Sequence, residues 1–69
     1  MSKNPSDIIA AKRTALGLTQ QDAAVKAGLV LSTWAIIEQG RIQNPRIETC
    51  MAIARTLGCE LGDIWEWAR

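Results

Sequence analysis

Glycines at positions 17, 28, 40 and 58 cut this 69-residue chain into stretches of ten to seventeen residues. Segments that short exclude a bundle of long helices and suit an array of two-turn and three-turn helices. Helix-starting chemistry stands at Asn4-Pro5, after Gly17 at Thr19 and after Gly40 at Asn44-Pro45, so the glycines read as stops rather than as flexible spacers. No β pattern competes, because Ala is abundant and few runs alternate strictly.

Asn4-Pro5-Ser6-Asp7 predicts the first start: Asn4 caps the Asp7 amide, Pro5 takes the first helical position, and the Asp7 carboxylate lies near the positive end. Ile9, Arg13 and Leu16 then share a face, beside Ile8 and Lys12, until Gly17. Thr19-Gln20-Gln21-Asp22 predicts a second start with a reciprocal cap, in which Asp22 replaces the usual longer Glu. Ala23, Ala24 and Ala27 give that helix a face of small side chains before Gly28. A third helix is expected over 31–39, burying Trp34 and Ile37.

Asn44-Pro45 repeats the cap-plus-proline signature. Ile47, Cys50, Ile53, Ala54 and Leu57 follow it with the i, i+3, i+4 recurrence of an amphipathic helix that ends at Gly58. A fifth, short helix is expected over 60–67, presenting Leu61, Ile64 and Trp65 to the core, with Gly62 weakening it. The expectation is an all-α, five-helix single domain over residues 1–69, with a core of about 6–65, a short arm and a short tail.

Apolar residues at 48% and charged residues at 22% suffice to close a core, which excludes a disordered chain. The net charge of +1 says little about partners, but its distribution is uneven. Residues 1–55 hold seven basic groups against four acidic, whereas 56–69 hold Arg69 against Glu60, Asp63 and Glu66. A phosphate-facing surface is therefore expected in the first four-fifths of the chain. Cys50 and Cys59 have no neighbouring His, so they read as reduced core residues and not as metal ligands. Without a secretory leader or an 18-residue apolar run, the expected location is the cytoplasm. The chain has no His, no paired carboxylates on one face and no Gly-rich phosphate cradle, so it is not expected to be an enzyme or to take a cofactor.

A capped short helix, a glycine turn and a second short helix make a helix-turn-helix. Ala24 provides the small side chain that two steeply crossing helices need at closest approach, and Gly28 provides the left-handed turn residue. With "LGLTQQDAAVKAG", "IIEQG" and "NPRIETCMAIARTLGCELGDIW" in order, the chain resembles the lambda-repressor-like, Xre-type DNA-binding domains over about residues 6–65.

The resemblance implies double-stranded DNA as partner. It implies a recognition helix whose base-facing positions are Leu31, Ser32, Ala35 and Ile36. It places Gln20, Gln39, Arg41, Gln43 and Arg46 toward phosphates or the minor groove, and Arg13 and Glu38 as a partly buried pair tying the first helix to the end of the third. It further implies a homodimer, with Met51, Trp65 and Trp67 as candidates for the interface. Trp65 and Trp67 cannot both face inward on one helix, so one of them is expected at the surface.

Departures from the family pattern shape the reading. Val30 stands where Ser or Thr usually caps the recognition helix. Trp34 stands where a smaller Ile is typical, and Ala23 and Ala27 replace Leu and Val, as if an indole filled the volume those truncations free. Leu31 and Ile36 supply no bidentate base reader; they suit thymine methyl groups. Two readings follow: a sequence-specific, repressor-like transcriptional regulator, or a protein-interaction module that uses the same fold with an apolar third helix.

Overall fold

A computed structural model of the chain describes residues 4–42 and 45–69. Five α-helices form: α1 (Pro5–Ala15), α2 (Gln20–Ala27), α3 (Leu31–Glu38), α4 (Ile47–Leu57) and α5 (Leu61–Ile64), followed by a 3₁₀ turn at Glu66–Ala68. No strand is found among the described residues.

The first four helices end in one way. After α1, the Leu18 amide reaches back to the Arg13 carbonyl (3.2 Å) and the Gly17 amide to Thr14 (2.9 Å). Leu29 and Gly28 repeat that pair of bonds on Ala24 and Val25, Arg41 and Gly40 on Ile36 and Ile37, and Cys59 and Gly58 on Ala54 and Arg55. This is the Schellman arrangement, which satisfies carbonyls that the helix leaves unpaired. Leu18, Leu29 and Cys59, each just past its glycine, fold back against the core, whereas Arg41 is exposed in the equivalent place.

α2 packs most extensively on α3, while α4 lies across α1 and α2 and meets α5. The core is centred on Trp34, Ile9, Ile53 and Cys50, all fully buried. Trp34 and the α2 residues Ala23, Ala24 and Ala27 belong to the same buried cluster, so the buried face of α2 consists of methyl groups. Ile53, Ala54 and Leu57 carry the buried face of α4, where each large aliphatic side chain contributes about 1.5–3 kcal/mol.

Several local expectations are corrected. Asn4 is the N-cap of α1, but its side chain makes no capping bond; its carbonyl accepts from Ile8 at 3.1 Å, and the exposed side chain is left to water. Leu16 is exposed, because the chain turns at Gly17 and Leu18 returns to the core in its stead. The cap-plus-proline signature does not start α4. Arg46 is the N-cap, in extended conformation, and Pro45 lies outside the helix with its carbonyl toward the Cys50 thiol (3.8 Å); Asn44 lies outside the described residues. Ile47 is exposed, since the first turn of α4 stands clear of the core.

The single helix expected over 60–67 is broken. Trp65 is extended (φ −113°, ψ 129°) between α5 and the 3₁₀ turn. Extension sends Trp65 into the core and leaves Trp67 60% exposed, the two rings stacked with centroids 6.1 Å apart. The 3₁₀ turn folds back over α5 at Gly62, where a Cβ would lie 3.3 Å from the Ala68 carbonyl oxygen. That close approach explains a glycine within so short a helix.

Candidate nucleic-acid interface

Two eight-residue helices and the three residues between them form the unit of interest. At the start of α2, the Thr19 hydroxyl accepts from the Asp22 amide (3.0 Å) and the Asp22 carboxylate accepts from the Thr19 amide (3.1 Å). The Thr19 amide and hydroxyl hold the Asp22 carboxyl below its ordinary value, so the cap is ionised at neutral pH. At the other end Gly28 turns the chain at φ 73° with open space where a Cβ would be, so its requirement is conformational and not steric.

On α3, Trp34 and Ile37 face the core, whereas Leu31 and Ser32 are exposed and Ala35 and Ile36 are half-buried. Leu31, Ser32, Ala35 and Ile36 thus form one stripe along the helix, and exposed Gln39 extends it past the last turn. Val30, the N-cap of α3, makes no side-chain capping bond. Its carbonyl accepts from Thr33 and Trp34, and the Leu31 and Ser32 amides meet no acceptor among the described residues.

Glu38, at the last turn of α3, gathers three helices. Its Oε2 accepts from Arg13 Nε of α1 at 2.6 Å and from the Trp34 indole N–H; its Oε1 accepts from Arg13 Nη2 at 3.1 Å and from Gln20 Nε2 of α2 at 3.1 Å. Arg13 also donates Nη1 to the Leu18 carbonyl at 2.7 Å, tying the network to the loop between α1 and α2. The two side chains are 18% and 6% exposed, which takes the pair out of the weak class of surface ion pairs. Burial alone pushes the Glu38 carboxyl up, but the hydrogen bonds from Arg13, Gln20 and Trp34 and the Arg13 charge outweigh it and hold it below the ordinary value. The same bond to Glu38 raises the Arg13 guanidinium further against burial, so both partners are charged.

The remaining candidates are spread around this frame. Arg41 is exposed just past α3 and donates to Gln39 Oε1 at 3.2 Å; Arg46 is exposed at the start of α4. Gln43 lies outside the described residues. The Gln20 side chain, which the resemblance assigns to a phosphate contact, turns its amide nitrogen toward Glu38. Of the three interface candidates, Met51 and Trp67 are exposed, whereas Trp65 belongs to the core and is not a surface residue. Burial pushes both the Cys50 and the Cys59 thiols up, away from thiolate chemistry. No cluster of His, Cys, Asp or Glu able to hold a metal ion is found among the described residues.

The four-donor site on Glu38 was not foreseen. Trp34 and Glu38 stand four apart on one helix, a spacing that brings side chains together, so that bond had a local signal. The Gln20 bond spans eighteen residues and had none.

An exposed stripe on a short helix, braced by a capped partner helix, is the arrangement of a helix-turn-helix DNA-binding domain. A helix-turn-helix family profile matches residues 9–64, and the chain belongs to that family, the Cro/C1-type DNA-binding regulators. No curated protein and no solved structure matches the chain. Among the described residues no helix is long and apolar enough to cross a membrane.

Proposed function

We propose that this chain is a sequence-specific, repressor-like transcriptional regulator that seats α3 in the major groove of double-stranded DNA. The observation that carries the reading is the stripe of exposed Leu31 and Ser32 and half-buried Ala35 and Ile36 on a helix whose far end is fixed by Glu38 to α1 and α2. Leu31 and Ile36 pack against thymine methyl groups, and Ser32 hydrogen-bonds base edges. Arg41 and Arg46, with Gln39 and Gln43, clamp the backbone on either side. Few cations serve each half-site, so a two-fold dimer joined through exposed Met51 and Trp67 is the working form.

Selection from a random duplex library at two salt concentrations, with solution mass measured alongside, tests this. The expected result is a palindrome enriched by a dimer, with affinity falling about 0.9 log unit per neutralised phosphate for each tenfold rise in salt. Charge reversal at Arg41 or Arg46 lowers affinity for all duplexes while the fold survives. The exposed Leu31 favours a second reading, docking of a protein partner on α3. Under that reading no duplex is retained at low salt, and Leu31→Glu or Ile36→Glu abolishes a protein contact.

A further inference from the structure

Glu38 accepts two hydrogen bonds on each carboxylate oxygen, two from Arg13 and one each from Trp34 and Gln20. An ionised carboxylate offers about four acceptor directions, so this one is saturated and has no capacity to turn toward another partner. The Gln20 amide is consequently fixed in one sense. Its nitrogen must face Glu38, because its oxygen would meet a carboxylate already held below its ordinary protonation range. One N–H of Nε2 is consumed there, and the second finds no acceptor among the described residues. Gln20 is half-buried at the first position of α2, so part of the residue remains open to solvent.

We infer that Glu38 is a positioning residue for DNA binding: it holds the Gln20 amide so that its second N–H is already aimed at a backbone phosphate when α3 enters the groove. This rests on the DNA-binding reading above and deepens it. A glutamine side chain loses rotamer freedom when fixed, and here much of that cost is met in folding and not in binding. The same carboxylate anchors α1, α2 and α3, so the phosphate contact and the angle of α3 are set by one group.

A double-mutant cycle on duplex affinity tests the inference, using the duplex enriched from the library or, at low salt, a random-sequence duplex. Gln20→Ala in the otherwise unchanged chain should weaken binding about tenfold, the loss of a hydrogen bond to a charged group. Gln20→Asn, too short to span both partners, should lose as much. In a Glu38→Gln background the further loss from Gln20→Ala should fall to about twofold or less. An equal loss in both backgrounds, with folding verified by circular dichroism, overturns the positioning role while leaving DNA binding intact.

Glu38→Gln leaves Arg13 without its counter-charge and can fail to fold, so a measurement on the unaltered chain stands beside the cycle. In ¹⁵N-labelled protein one Gln20 side-chain proton should be protected from exchange in the free state and stay so on adding duplex, while the second shifts. Movement of both protons, or of neither, overturns the inference. Absence of duplex binding by the unaltered chain at any salt overturns it together with the proposed function.

Discussion

Replacing Trp34 by Phe separates the two tasks of this side chain, filling space and donating a hydrogen bond. Phenylalanine keeps most of the ring volume in a site that is fully buried, but removes the indole N–H from Glu38 Oε2. A hydrogen bond to a charged group contributes about 1.5–3 kcal/mol. The smaller ring leaves a modest void that adds about 1 kcal/mol. The sum, about 2.5–4 kcal/mol, is large for a chain of this length, whose whole stability should be about 3–10 kcal/mol. A fall of about 10–30 °C in the melting temperature follows.

The pH dependence gives the sharper test. Glu38 has a folded-state pKa below its ordinary 4.5, so its ionised network stabilises the fold above that value, and the contribution disappears as pH falls through the lower folded value. Losing one donor makes the depression smaller. The gap between unaltered chain and variant should therefore be widest at neutral pH and close toward the packing share, about 1 kcal/mol, in acid. Urea unfolding followed by far-ultraviolet circular dichroism, at neutral pH and again below pH 4, measures it. A gap under about 1 kcal/mol at neutral pH, or one that is unchanged in acid, would refute the reasoning about this carboxylate.

Other perturbations probe separate parts of the structure. Ala24→Leu puts three more carbons into a site that is 1% exposed, and should cost about 1–3 kcal/mol or prevent folding, read as the urea midpoint. Thr19→Ala removes the acceptor for the Asp22 amide and should cost about 1 kcal/mol, with no change in the slope of the urea transition. Gly28→Ala meets no atom but is held at φ 73°, so a loss of about 1 kcal/mol should appear with the packing of the core unchanged. Trp67→Ser together with Met51→Ser should leave the melting temperature of dilute protein nearly unchanged, since both are exposed, while reducing solution mass if that face joins two copies. An unchanged mass would place self-association elsewhere.

The starts of α1 and α2 and the four glycine stops were legible because they are written in neighbouring residues. The reciprocal cap at Thr19 and Asp22, the proline at α1 and the four terminal glycines each act within one turn of chain. The shared burial of Trp34 and the α2 alanines was legible too, because it follows from the spacing of small and apolar residues along α2 and α3. Leu16 and Ile47 were misplaced for a common reason: helical periodicity identifies a face but not how far along the helix the core extends. The break at Trp65 depends on the 3₁₀ turn closing over Gly62, a contact within the tail that a helical repeat does not encode. At the interface the stripe on α3 followed from Trp34 and Ile37 facing inward. Gln20, assigned by resemblance to a phosphate, required three-dimensional proximity before its bond to Glu38 could be seen.

The Trp34 indole, buried in one cluster with the α2 methyl groups, has a consequence for how this chain can be altered. A second helix taken from a relative with Leu or Val at positions 23 and 27 cannot be grafted here unless position 34 shrinks in the same step. Either exchange made singly passes through a clash or a void. Successful chimaeras must move both faces of this contact together, as one inherited block.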